Sequence, residues 1–126
     1  MTEQEMNEFL ESIGGLKNGF YTDREPITSA SFFTIGLGWY PLVKKLIEDL
    51  IKVGWDKQIC QVKEKFGGLR FYVNSLSEKG HKLISKAEEE SFEICEECGE
   101  PGEIRSREYW VKTLCDKDAK QWLNET

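Results

Sequence analysis

The sequence predicts an α+β fold: one small domain in which helices pack on a β-hairpin (an antiparallel sheet), with a compact finger at its C-terminal end. Three observations lead there. Apolar residues recur at helical spacing behind recognisable start signals. A mid-chain stretch switches to period-two alternation around a Gly-Gly pair. The last third holds a Cys-x-x-Cys knuckle followed by a further Cys.

Thr2-Glu3-Gln4-Glu5 is a capping box, with Met6, Phe9, Leu10 and Ile13 as the apolar face behind it and Gly14-Gly15 as its stop. Residues 16–40 are rich in aromatic and β-branched side chains but broken by turn residues. They read as irregular, with a short strand around Phe32 to Ile35. Pro41 suits a first helical position, and Leu42, Val43, Leu46, Ile47, Leu50 and Ile51 form a wide apolar stripe up to Gly54, predicting a helix over 41–53. Ile59 to Lys65 and Leu69 to Asn74 alternate on either side of Gly67-Gly68, which supplies positive φ, so a hairpin follows. Cys60, Val62 and Phe66 would share one face, Leu69, Phe71 and Val73 another, and these faces would pack on the 41–53 helix. Ser75 with Glu78 reads as a second capping box opening a helix to about Ser91, with Gly80 weakening it by ~1 kcal/mol relative to Ala. A knuckle, a hairpin over Ile104 to Leu114 and a short helix from Asp116 complete the chain.

The length of 126 residues fits one domain, 1–126, divided into a core (1–94) and a finger (95–126). The net charge is −6, and it is spread evenly: nine acids and six bases in 1–62, fourteen and eleven in 63–126. Such a balance disfavours sequence-independent attraction to nucleic acid or to anionic membranes and favours a neutral or basic protein partner. The run Glu88, Glu89, Glu90, Glu93, Glu96, Glu97 reads as a solvated helix face. No apolar stretch approaches membrane-spanning length, and Met1 to Leu10 has no basic n-region, so a cytoplasmic protein is expected. In a reducing compartment four Cys point to metal rather than to disulfides.

Cys95-Glu96-Glu97-Cys98-Gly99 brings two thiolates to one ion, and Cys115 follows after sixteen intervening residues with Asp118 one helical turn beyond it. Knuckle, hairpin, then a ligand pair on the first turn of a helix is the order of a treble-clef-like zinc finger. Tetrahedral zinc takes Cys and His, with Asp admissible. Cys95, Cys98 and Cys115 are therefore the expected zinc ligands, with Asp118 as the fourth. His81, Cys60 and water are the other candidates for that place. Chelation should then unfold 95–126 and disturb the earlier part less.

The segments Gly38-Trp39-Tyr40, Gln61 to Tyr72, Cys95 to Gly102, and Trp110 with Thr113-Leu114-Cys115-Asp116 resemble a widespread family of short, largely uncharacterised bacterial and bacteriophage proteins. The likeness runs over residues 35–119. In that family a His usually follows the last Cys by three residues; Asp118 stands there in this chain. The resemblance implies the zinc finger and an accessory or defence-related role on mobile elements, and no particular activity.

The expected function is a non-enzymatic protein–protein interaction module, in its sharpest form an inhibitor of a host protein. One His and no phosphate-cradling loop argue against an enzyme. The alternative is a nucleic-acid-binding zinc-finger regulator. Its candidate face comprises Lys63, Lys65, Arg70, Tyr72, Arg105, Arg107 and Trp110, with Phe71, Tyr109 and Lys112 beside them. Oligomeric state is not legible.

Overall fold

The structure is a computed structural model describing residues 1–124; the final two residues of the expected finger, 125 and 126, lie outside the described residues. The elements in chain order are α1 (Glu3–Ser12), β1 (Lys17–Asn18), β2 (Phe33–Thr34), α2 (Tyr40–Lys52), β3 (Gln58–Lys65), β4 (Gly68–Val73), α3 (Glu78–Ser91), β5 (Glu103–Arg107), β6 (Trp110–Leu114) and α4 (Asp116–Asn124). Short 3-10 turns at Ala30–Phe32 and Leu37–Trp39 lie either side of β2. The fold is α+β, with four helices, a small sheet and a C-terminal two-stranded finger. Among the described residues no helix is long and apolar enough to cross a membrane.

The local signals at the chain's start act as expected. Thr2 Oγ1 accepts the Glu5 N–H at 3.1 Å, and the Glu5 carboxylate accepts the Thr2 N–H at 3.0 Å. The Thr2 N–H, and after it the Thr2 hydroxyl, hold the Glu5 carboxyl below its ordinary range. Pro41 occupies the first turn of α2, whose apolar stripe is buried from Leu42 to Leu50. The start of α3 is a correction. Its cap is Ser77, whose Oγ accepts the Gly80 N–H at 3.2 Å, and not Ser75. Gly80 is buried, and a Cβ there would come within 2.5 Å of Leu76. The glycine makes room for the residue that precedes the cap.

β3 is the centre of a mixed sheet. It pairs antiparallel with β4 along one edge, and on the other edge with β1 and then β2, both parallel. The hairpin turns through Phe66 and Gly67, at φ 54° and 84°, with Lys65 opposite Gly68. The Gly67-Gly68 turn is thus displaced by one residue, which leaves Phe66 at the tip, 70% exposed. A register irregularity between Ile59 and Gln61 turns both Ile59 and Val62 inward. Cys60 is therefore not on the apolar face: its thiol donates to Asn74 Oδ1 at 3.1 Å.

The apolar residues of the hairpin and the stripe of the 41–53 helix lie in one buried core cluster, as expected, and a second helix joins them. The helix running along β4 is α3, and α2 packs on α3. β4 is an edge strand, and α3 satisfies its outward N–H groups with side chains. Leu69 N–H donates to Ser91 Oγ (2.9 Å) and Phe71 N–H to the Glu88 carboxylate (3.0 Å). Glu88 is thus a strand partner rather than a member of a solvated acidic face.

Ser91 is fully buried and its Oγ also donates to the Glu88 carbonyl at 2.6 Å. Ser91→Ala leaves the buried Leu69 N–H without an acceptor and should destabilise the fold by about 2 kcal/mol. Urea unfolding checks this; a loss below ~0.5 kcal/mol would show that Leu69 finds another partner.

Candidate metal centre

Cys95, Cys98, Cys115 and Asp118 converge, with one ligand atom from each lying within 4.8 Å of every other. The Cys98 and Cys115 sulfurs are 3.6 Å apart, and Asp118 Oδ2 lies 3.2 Å from the sulfurs of both Cys95 and Cys115. A tetrahedron with metal–sulfur bonds of ~2.3 Å has edges of roughly 3.8 Å, so these spacings suit one ion. All four Cys in the chain are free thiols. Three thiols and one carboxylate close together could therefore bind a metal ion.

Local geometry places each donor. The knuckle closes through Gly99 N–H to the Cys95 carbonyl (2.9 Å) and Cys95 N–H to the Glu100 carbonyl (2.8 Å), with Gly99 at φ 84°. Cys115 precedes α4, and its carbonyl accepts the Ala119 N–H at 2.9 Å. Its sulfur accepts the Asp118 N–H at 3.4 Å, the work a capping side chain usually does. Cys95 is fully buried with Leu114 and Ala119, Cys115 and Asp118 are half-buried, and Cys98 is exposed.

The other candidates for the fourth place lie elsewhere. His81 is exposed on α3, outside the donor cluster, and Cys60 is bonded to Asn74.

The knuckle rests directly on the segment before α2. Gly38 N–H donates to the Glu96 carbonyl (2.7 Å), Gly36 N–H to the Glu96 carboxylate (3.0 Å) and Trp39 Nε1–H to the Ile94 carbonyl (2.8 Å). A Cβ on Gly38 would sit 2.1 Å from the Cys95 carbonyl oxygen and 2.5 Å from the Gly99 nitrogen. Only glycine permits that approach. Glu96, one of the expected solvated acids, is 7% exposed; burial pushes its carboxyl up, against the opposing Gly36 hydrogen bond. Thr113 completes the junction, its hydroxyl donating to the Gly67 carbonyl (2.6 Å) and its carbonyl accepting the Glu96 N–H (3.0 Å). The sequence marks Gly36 and Gly38 only as turn residues, Glu96 only as a solvated acid and Thr113 only within the family-like motif; their joint role at this junction depends on partners far along the chain.

The expected basic face divides in two. Lys63, Lys65, Arg70 and Tyr72 share the solvent side of β3–β4. Phe71 is in the core. Arg105, Arg107 and Lys112 instead stitch the finger together. Arg105 binds Asp116 at 2.6 Å and Glu103 at 3.3 Å, which holds its guanidinium firmly protonated, the Asp116 bond first. Arg107 donates to the Trp122 carbonyl at 2.8 Å, and both Arg107 and Lys112 lie over the Trp122 ring. Trp110 is 70% exposed at the hairpin end.

No family model, curated protein or solved structure matches the chain.

Proton sharing at the cluster sets a pH dependence. The Cys98 thiol is acted on first by a backbone hydrogen bond at Glu100, which lowers it. Burial and crowding by Asp118, Cys95 and Cys115 together outweigh that bond and push it up to about 12. Hydrogen bonds from the Cys95, Cys115 and Cys98 thiols hold the Asp118 carboxyl below its ordinary range. At neutral pH the carboxylate has no proton to release, whereas thiol protons must leave when a cation binds. Metal affinity should therefore climb with pH, with log K rising by up to about three per unit between pH 6 and 8, one proton leaving each thiol. A competition titration with a chromophoric chelator reads this; a flat profile would mean the thiols are not ligands.

Proposed function

We propose that the protein is a non-enzymatic interaction module, stapled by structural zinc, that binds another protein. The donor set supports zinc: three soft thiolates and a carboxylate at tetrahedral spacing, in the order knuckle, hairpin, helix. Bound zinc would supply a crosslink between the knuckle and α4.

The observation that carries the interaction reading is the tip of the β5–β6 hairpin. Arg107 pairs with Trp110, so the chain reverses through Glu108 and Tyr109 alone. Glu108 holds φ 54°, a left-handed conformation that costs roughly 1 kcal/mol for a residue with a Cβ. The turn displays Tyr109 at 96% exposure beside the exposed Trp110. Exposed Tyr and Trp on a two-stranded support are what interface anchors require, since such side chains dominate binding energy when buried in a partner's pocket. Arg105 and Arg107 are engaged within the finger, so Glu108 sets the charge of the tip. With the net charge of −6, that favours a neutral or basic partner. The family resemblance makes a bound and inhibited host protein the form of this reading to test first, in the cytoplasm of a bacterium or infected host.

Two measurements test the proposal. Elemental analysis should find one zinc per chain, with Asp118→Ala weakening affinity by about tenfold or more and Asp118→His restoring or tightening it, imidazole being the softer donor. Unchanged affinity in Asp118→Ala would place that carboxylate outside the coordination sphere. The immobilised protein should also retain a partner from bacterial lysate at low salt. The double variant Tyr109→Ala/Trp110→Ala should lose it while remaining folded. Recovery of no partner, or equal recovery by both proteins, defeats the interaction reading.

A further inference from the structure

The solvent face of the β3–β4 hairpin carries a cost that folding alone does not explain. Lys63 and Arg70 are direct cross-strand partners. Like charges so placed repel, and sheets ordinarily avoid them. Lys65 follows on the same face. Among the described residues, none of the three forms an ion pair with a carboxylate, in a chain with 23 acids against 17 bases. Glu64, between the two lysines in sequence, belongs to the opposite face, where its carboxylate accepts the Gly67 N–H at 2.7 Å.

Aromatic rings accompany these cations. Tyr72 is 41% exposed with Lys63 Nζ 5.7 Å from its ring centre, and Phe66 is 70% exposed with Lys65 Nζ at 5.6 Å. Gln61, across from Tyr72, adds an uncharged hydrogen-bonding group. From Gln61 to Lys65 the strand runs about 13 Å, the reach of two or three nucleotides.

We infer that this face binds single-stranded nucleic acid, with Lys63, Lys65 and Arg70 meeting successive phosphates and Tyr72 stacking a base. The chemistry asks for a ligand that is both anionic and π-faced: phosphates relieve the Lys63–Arg70 repulsion, and an unpaired base covers the tyrosine ring. The net charge of −6 does not decide the matter. At physiological salt, charges beyond ~8 Å are largely screened, and among the described residues no carboxylate pairs with the three cations. This surface is distinct from the finger tip, so the inference stands apart from the protein-partner reading.

Fluorescence anisotropy with labelled (dT)15 and (rU)15 tests it. Binding should fall below ~100 µM in 50 mM salt and weaken about 20-fold by 200 mM, the slope for three phosphate contacts. Lys63→Glu should reduce affinity at least tenfold while holding or raising the melting temperature, because it sets a carboxylate opposite Arg70. Tyr72→Ala should cost about fivefold or more, and Tyr72→Phe should restore it. Tyr109→Ala/Trp110→Ala should leave oligonucleotide binding unchanged, which separates this site from the finger tip. No binding, full binding by Lys63→Glu, or a loss that tracks lowered stability would overturn the inference. Equal binding to a 15-base-pair duplex or to phosphatidylserine vesicles would overturn the single-strand assignment.

Discussion

The rest of the structure depends on one backbone contact. The carbonyl of Cys95 and the nitrogen of Gly99 lie so close to Gly38 that a methyl group cannot enter between them. Two segments far apart in sequence meet main chain to main chain, and three hydrogen bonds from Gly36, Gly38 and Trp39 lock the meeting. Trp39 is fully buried and directly precedes α2. The position of α2 and the geometry of the knuckle are therefore one variable. A structural metal in a knuckle contributes on the order of 10–16 kcal/mol to its own unit, comparable with the ~5–15 kcal/mol that holds a whole domain. Through Gly38 such a contribution would pass into the N-terminal part. A finger that melts alone, with 1–94 little disturbed, does not fit a junction of this kind.

The same economy governs the sheet. β1 and β2 are two residues each and would not survive in isolation. They persist because β3 offers its free edge to them in turn, and because the surrounding turns supply hydrogen bonds. The Asn18 side chain accepts the N–H groups of Phe20 and Tyr21, and Asn7 takes the Ala30 N–H at 2.7 Å. The opposite edge, β4, is covered by Glu88 and Ser91 instead of by a strand. Both edges of the sheet are thereby closed to a second chain where they are covered, one device against edge-to-edge aggregation.

What the sequence made legible follows from the range of each signal. The α1 capping box, the Pro41 start and the Cys-x-x-Cys knuckle are complete within a few residues, so they read directly. The helical stripe from Leu42 to Leu50 repeats often enough to be unmistakable. β1 and β2 have no period at two residues. The inward turn of Ile59 depends on an irregularity that alternation cannot reveal, and strict alternation wrongly assigned Cys60 to the core. Ser75 and Ser77 offer the same capping chemistry, and only the packing of Leu76 on Gly80 selects the second. Glu88 and Glu96 looked like any solvated acid because what they bind, the N–H groups of Phe71 and Gly36, lies 17 and 60 residues away.

Charge counting locates the weak point of the metal centre. Three thiolates and a carboxylate carry four negative charges, and a divalent cation cancels only half. The remainder must be dispersed by N–H donors and nearby cations. Cys115 has the Asp118 N–H and the start of α4, and Cys95 is buried beneath the knuckle that Gly38 clamps. Cys98 has the backbone hydrogen bond at Glu100 but remains exposed. It would therefore be the donor of a bound metal that protons, oxidants and competing metals reach first. An imidazole at position 118 would lower the residual negative charge by one and relieve Cys98 without touching it. Asp118 would keep that charge in place and leave the exposed sulfur the most accessible of the four donors.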